Sequence, residues 1–299
     1  MLLHGLCENA YVWRLGGDGG FVGGLTRAGF EVWALDIRGN RWSTRPGLLG
    51  SLPTEWTFDT HALVDLPAAI EAVRARAGAA RVSLVGHSMG GMMTYAYLMR
   101  RPDAPVERFV TLGSPVVFES RLAWFMPTAI GAFVGFNRYF PPIRNENCGP
   151  AARFGAPLLW FADPPGMGFV WNADNVDRSA KHDMLAYAVG DINHGVLASF
   201  SEMRDDGHLR GADGFDYAAP EHLAAIGIPA MVVAGALDAI VPAPMARYAF
   251  DHLGSADRRF VLLGRAEGAG ADYGHTDLVI GRAVDRDLLP RVIAFLAGR

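Results

Sequence analysis

Apolar positions along the chain follow two rhythms that alternate. Short apolar runs predict buried strands, and apolar residues spaced three and four apart predict amphipathic helices. The predicted strands cover residues 31–36, 81–85, 106–112, 229–234 and 259–263. The predicted helices cover residues 59–77, 89–100, 245–253 and 284–296. This alternation favours an α/β fold, with a mostly parallel sheet and helices on both of its faces.

The alternation stops between Pro115 and Pro220, where aromatic residues and prolines are frequent. We therefore predict a core formed by residues 1–115 and 221–299, and a cap, or lid, inserted as residues 116–220. The aromatic side chains of this segment have two open interpretations. They either line an apolar pocket or form a core of the cap itself.

The composition argues against several classes of protein. Of the 299 residues, 51% are hydrophobic and 19% are charged, which argues against a disordered chain. The net charge is −4 and no basic stripe is present, so we expect no nucleic-acid partner. No apolar run is long enough to predict a transmembrane segment. The two cysteines, Cys7 and Cys148, are too few for a disulfide framework, and whether they pair is open.

The first residues resemble the end of a buried strand. Met1 leads directly into Leu2-Leu3-His4-Gly5, without the basic and apolar regions of a signal peptide. As written, the sequence predicts a cytoplasmic protein. Since chains rarely start inside their own core, we also expect that upstream sequence is missing.

Chemistry is carried by Gly86-His87-Ser88-Met89-Gly90, which has the pattern G-x-S-x-G. An apolar strand precedes it and a helix follows it, as at a nucleophile elbow. A turn this tight leaves no room for side chains two residues before and two residues after the serine. The pattern predicts that Ser88 is a nucleophile held at the carboxyl edge of the sheet.

A serine nucleophile requires a base, and the base requires an acid that orients it. Nine histidines compete for the first role. His275 is favoured because it follows the last predicted strand, in a loop at the same edge of the sheet. Asp238 follows the preceding predicted strand and is the favoured acid.

Acyl transfer also requires backbone N–H groups aimed at the developing oxyanion. One donor is expected to be Met89, directly after the nucleophile. The other is expected to be Leu6 in the loop His4-Gly5-Leu6, where Gly5 permits the backbone to bend.

These fragments resemble the α/β-hydrolase superfamily, and among its serine esterases and lipases they look most like the acid lipases and their bacterial relatives. The resemblance rests on residues 2–6, 32–40, 58–59, 65–68, 86–88 and 273–281. It implies a Ser88–His275–Asp238 triad, an oxyanion hole of Leu6 and Met89, and ester hydrolysis without a metal or cofactor. Two features depart from the group. The usual leading strand pair is missing, and Met89 stands where acid lipases usually carry glutamine.

The sequence thus predicts a serine esterase or lipase whose partner is a small hydrophobic ester. An acyltransferase or a carbon–carbon bond hydrolase would use the same triad, so both remain alternatives. The non-enzymatic alternative is a ligand-binding pseudo-hydrolase. If the strand at 31–36 forms an exposed edge of the sheet, a homodimer is also expected.

Overall fold

A central sheet organises the chain in the computed structural model, which describes residues 1–40, 43, 56–118, 145–146, 148–157 and 167–299. Its strands are β1 (Leu2–Leu3), β2 (Ala34–Leu35), β3 (Val82–His87), β4 (Val106–Leu112), β7 (Ala230–Gly235) and β8 (Arg258–Leu263). They lie in the order β2-β1-β3-β4-β7-β8, and all neighbouring strands are parallel. A separate antiparallel pair joins β5 (Asn145–Glu146) and β6 (Ile192–Asn193).

The predicted strand at 31–36 is much shorter in the structure, where only Ala34 and Leu35 pair with β1. β2 lies at one edge of the sheet formed by the described residues. A two-residue strand offers little backbone for pairing with another chain. The homodimer stays a prediction, which light scattering in solution would test.

Helices alternate with the strands of the central sheet along the described chain. They are α1 (Gly20–Arg27), α2 (Phe58–Thr60), α3 (Leu66–Ala77), α4 (Met89–Arg100), α5 (Cys148–Gly155), α6 (Arg178–Asp183), α7 (His194–Asp206), α8 (Pro220–Ala224), α9 (Ala243–His252), α10 (Asp277–Ile280), α11 (Val284–Asp287) and α12 (Leu289–Leu296). A π-helical turn, His61–Asp65, joins α2 to α3. Gly78 then ends α3 in the left-handed region, with φ of 63°.

The single final helix predicted over 284–296 is wrong. The structure divides it into α11 and α12, with Leu288 between them at φ −115°. Pro290 explains the break, because proline has no N–H for the helical ladder and its ring clashes with the preceding turn. Proline fits the first turn of α12, where its missing N–H has no intrahelical acceptor.

Side chains of the central strands alternate between two hydrophobic clusters, one on each face of the sheet. Leu84, Phe109 and Val232 belong to the first cluster, which includes residues of α3, α4 and α9. Their neighbours Val85, Val110 and Val233 belong to the second, which includes residues of α1 and α12. The period of two thus produces helices on both faces, as predicted.

The segment between β4 and β7 contributes its own elements, and its described strand β6 pairs only outside the central sheet. Its described residues also enter both hydrophobic clusters: Ile192, Val196 and Met203 lie in the first, Trp171 and Met184 in the second. The cap boundaries at 116 and 220 stay predictions. Within the described residues, none of the helices has the length and apolar character needed to cross a membrane.

Candidate active site

Ser88 lies in the turn between β3 and α4, at the carboxyl end of a central strand. Its φ of 50° and ψ of −117° are unusual for a residue with a side chain. Such a backbone is retained only where the surrounding structure enforces it, and it is typical of functional sites. The strand–turn–helix setting predicted for the serine is therefore present.

The two flanking glycines each make room for a different neighbour. A Cβ on Gly86 would lie 2.5 Å from the backbone carbon of Gly90, which is the crowding predicted for the turn. A Cβ on Gly90 would instead lie 2.2 Å from the carbonyl oxygen of Leu3. The second glycine thus allows the turn to approach β1, which leads into the predicted oxyanion loop.

The structure brings His275 and Asp238 together across 37 positions of sequence. Asp238 follows β7 and is 4% exposed, and His275 lies between β8 and α10 and is 5% exposed. His275 Nδ1 lies 2.8 Å from Asp238 Oδ2. The other carboxylate oxygen accepts the backbone N–H groups of Ile240 and Val241, at 2.9 and 2.7 Å. These bonds fix the carboxylate in the orientation that holds the imidazole.

The electrostatic surroundings favour the protonated form of this histidine. Burial by itself lowers the pKa of His275, but the charge and hydrogen bond of Asp238 oppose that effect. The negative charges of Glu8 and Asp277 also raise this pKa. The net pKa of His275 therefore lies above the ordinary histidine value. A base that takes up a proton during the reaction benefits from this stabilisation of the imidazolium.

The predicted oxyanion donors border the same region. Leu6 follows Gly5 in the loop after β1, and this loop is fixed by a 2.8 Å contact between His4 Nδ1 and the carbonyl oxygen of Gly5. Met89 is the first residue of α4, where backbone N–H groups have no intrahelical acceptor. We use the name oxyanion loop for residues 4–8.

A cavity of about 310 Å³ lies in front of these loops. Ser88 and His275 both line it, together with Leu6. The remaining wall is mostly apolar and includes Met92, Pro115, Phe118, Met167, Val170, Trp171, Met184, Leu185, Val189, Phe200, Ile240 and Val241. Three aromatic residues of the inserted segment, Phe118, Trp171 and Phe200, thus line a pocket. This agrees with the first of the two interpretations of the aromatic residues, that they line an apolar pocket.

Most other aromatic residues of that segment, between 124 and 140 and at 160–161, lie outside the described residues. The same holds for the side chain of Cys148, so its pairing with Cys7 stays an open question.

Two buried carboxylates near the candidate triad were not predicted as part of the site. Glu8 is 5% exposed, and its Oε2 lies 3.0 Å from Nδ1 of His87, the residue before the nucleophile. Asp277 is fully buried and accepts the N–H groups of Gly274 and Asn172 and the amide of Asn175. In the sequence, only their positions point to the site: Glu8 lies three residues after Gly5, and Asp277 lies two residues after His275.

Comparison with known proteins agrees with this architecture. A family model for the alpha/beta hydrolase fold matches residues 1–149. The monoacylglycerol lipase of Paleococcus ferrophilus superposes with a TM-score of 0.63 over 99% of this chain and 93% of its own, at 17% identity. The chain therefore has the α/β-hydrolase fold.

Sequence similarity extends to named lipases. Lipase member N of Homo sapiens is 24% identical over 97% of this chain and 77% of its own length. Human lysosomal acid lipase/cholesteryl ester hydrolase is 34% identical over 38% of this chain, and this match spans only 30% of that relative. The resemblance to acid lipases found in the sequence is therefore confirmed.

Proposed function

We propose that the protein is a serine hydrolase that cleaves carboxylic esters with an apolar acyl or alcohol group. One observation carries the proposal. Ser88, in a strained turn between β3 and α4, lines an apolar cavity together with His275, whose ring is held by Asp238. The lipase relatives support the same reaction class.

The first half of the reaction forms an acyl-enzyme. Ser88 Oγ attacks the ester carbonyl carbon, and its proton passes to His275 Nε2. The carbonyl oxygen becomes an oxyanion that accepts the N–H groups of Leu6 and Met89. When the tetrahedral intermediate collapses, the bond to the alcohol oxygen breaks, and His275 returns the proton to that oxygen.

Water completes the cycle. It attacks the acyl carbon while His275 accepts its proton, and the bond between that carbon and Ser88 Oγ then breaks. The proton returns to Ser88, and a carboxylic acid leaves. Throughout, Asp238 keeps Nδ1 of His275 protonated, so that Nε2 faces the serine.

The test is a series of p-nitrophenyl esters, from acetate to palmitate, on wild type and Ser88→Ala. We expect Ser88→Ala to retain at most about 10³–10⁴-fold rate enhancement over water, from binding and the oxyanion donors. Labelling of the wild type by a fluorophosphonate, blocked in the variant, identifies Ser88 as the nucleophile. Undiminished ester hydrolysis by Ser88→Ala would refute the proposal.

The same assay separates the alternatives that share the triad. Added alcohol or thiol acceptors divert the acyl group in an acyltransferase, so the product is a new ester or thioester instead of an acid. A carbon–carbon bond hydrolase would cleave a diketone substrate and leave the esters nearly untouched. A pseudo-hydrolase would show neither ester turnover nor fluorophosphonate labelling.

A further inference from the structure

Glu8 is a buried carboxylate that the proposed ester hydrolysis does not use. It lies in the oxyanion loop and lines the active-site cavity. Its Oε2 accepts the N–H of Gly5 at 2.6 Å and contacts Nδ1 of His87 at 3.0 Å. Among the described residues, the side chain that contacts this buried carboxylate is therefore a histidine.

The second ring nitrogen of His87 also faces an acceptor. Nε2 lies 3.3 Å from the carbonyl oxygen of His275, and the two imidazole rings are 4.8 Å apart. A carbonyl oxygen can only accept, and an ionised carboxylate can only accept. Both bonds therefore form together when one proton lies between Glu8 Oε2 and His87 Nδ1 and the Nε2–H group donates to the carbonyl.

The ionised state of Glu8 agrees with this arrangement. Burial raises the pKa of Glu8, but the charge and hydrogen bond of His87 and the Gly5 N–H more than reverse that effect. The net pKa of Glu8 lies below its ordinary value. With one proton shared between the carboxylate and the imidazole, the net charge of the pair is zero.

We propose that Glu8 and His87 form a net-neutral positioning pair that joins the oxyanion loop, the serine turn and the histidine loop. The chain of bonds runs from Gly5 N–H through Glu8 and His87 to the carbonyl of His275. The inference rests on the proposed function, because it assigns the pair to the oxyanion that this function creates.

The proton shared by Glu8 and His87 has a specific consequence for that oxyanion. A lone carboxylate in the oxyanion loop would oppose the negative charge that develops at Leu6 and Met89, and in a buried site little solvent screens the repulsion. His87 cancels this charge where it arises. The pair therefore fixes the loops without weakening the oxyanion hole.

The test is a cycle of three variants, Glu8→Gln, His87→Gln and the double variant. In Glu8→Gln, the amide oxygen replaces Oε2 and accepts from both Gly5 N–H and His87 Nδ1–H, so we expect kcat/KM to fall by no more than about tenfold. His87→Gln leaves the charge of Glu8 uncompensated, and we expect a loss of about 100-fold or more. Glu8→Gln should then rescue His87→Gln to within about tenfold of wild type.

Binding measurements locate the effect at the oxyanion. An alkylboronic acid forms a tetrahedral adduct with the serine, and its affinity should weaken in His87→Gln by the same factor as kcat/KM. The affinity for a simple alcohol, which carries no such charge, should be unchanged, and so should KM. Equal weakening of both ligands would overturn the proposal.

The matched control is the carboxylate–histidine pair of Asp216 and His208, which does not line the cavity. Asp216 accepts from His208 at 2.9 Å and from the N–H of Ala218 at 2.9 Å. Asp216→Asn and His208→Gln should leave kcat/KM within about twofold, as expected for surface changes away from the site.

The possible results distinguish a failure of this inference from a failure of the proposed function on which it rests. Losses that simply add in the double variant would overturn the positioning pair and leave the esterase proposal intact. Full activity in Ser88→Ala would refute the esterase proposal itself. If His87→Gln does not fold, thermal unfolding decides: the pair predicts that the double variant folds, and a double variant that is equally unfolded overturns it.

Discussion

The carboxylate of Asp238 is held in one orientation by hydrogen bonds to both of its oxygens. Its Oδ1 is occupied by two backbone N–H groups and its Oδ2 by His275, so neither oxygen is left to rotate toward solvent. The backbone bonds come from Ile240 and Val241, two and three residues further along the same loop. The loop after β7 therefore supplies both the acid and the groups that hold it.

The raised pKa of His275 predicts the pH dependence of activity. The imidazole must be neutral to accept the serine proton, so kcat/KM should rise with pH through the pKa of His275. Because that pKa is raised, the midpoint should lie above the ordinary histidine value of about 6.5. Rates measured from pH 5 to 9 on a soluble ester would show this limb, and a midpoint clearly below the ordinary value would contradict the assignment.

Asp238→Asn should change both the rate and this profile. Removing the charge removes the main effect that raises the pKa of His275, so the acidic limb should move to lower pH. The rate at its plateau should fall by about 10⁴-fold, because the amide favours the wrong imidazole tautomer. The matched control is Asp251→Asn, an exposed carboxylate paired with Arg247 on α9, for which neither quantity should change.

At the scale of elements, the loop carrying His275 is fixed by the inserted segment. Asn172 N–H and the Asn175 amide donate to Asp277, at 3.3 and 3.1 Å. Thr276 N–H donates to the carbonyl of Val170 at 2.9 Å. Residues 170–175 therefore hold the loop of His275 in place, and two of them, Val170 and Trp171, also line the cavity.

Asp277→Ala should loosen this connection. Three donors would lose their acceptor in a buried site, which costs about 1–3 kcal/mol for each group left unsatisfied. We expect a lower Tm together with a lower kcat, measured by thermal unfolding and ester hydrolysis. Asp285→Ala, an exposed carboxylate in the neighbouring α11, is the control and should change neither by much. An Asp277→Ala variant with wild-type kcat would show that this connection does not position His275.

Elements with strong periodicity were predictable, and elements stabilised by tertiary contacts were not. The bounds of α4 and β4 agree with the sequence, because their apolar patterns are regular and bounded by breakers. Helix α1 was missed because it contains three glycines, which disfavour helix. Its apolar residues Phe21 and Leu25 join the cluster that includes Phe295, and this packing outweighs the propensity.

The residues of the candidate site likewise include some that the sequence predicts and some that it does not. Ser88, Asp238 and His275 were predictable because each follows a recognisable strand, and parallel strands bring their carboxyl ends to one edge. Glu8 was not, since a sequence does not reveal which side chain of an irregular loop turns inward. Only the contact with His87 shows its place.

At the scale of the whole molecule, the apolar cavity predicts a dependence on acyl length. Each methylene group buried on binding contributes about 0.8 kcal/mol, or roughly a fourfold change in affinity. We expect kcat/KM for p-nitrophenyl esters to rise by about this factor per carbon until the cavity of about 310 Å³ is filled, then to level off. Phe200→Ala, which enlarges the cavity, should move the plateau to longer chains. A flat series would argue against an apolar acyl pocket.

Packing of the inserted segment across both faces of the sheet also determines how the protein melts. Trp171 and Met184 belong to the same cluster as Phe295 of the last helix, and Ile192 and Met203 to the same cluster as Met92 of α4. The described residues of the segment therefore share their hydrophobic clusters with the sheet, and calorimetry should record one cooperative transition instead of two. It follows that chimeras exchanging this segment between relatives to alter specificity will fold only if they carry its buried residues with it.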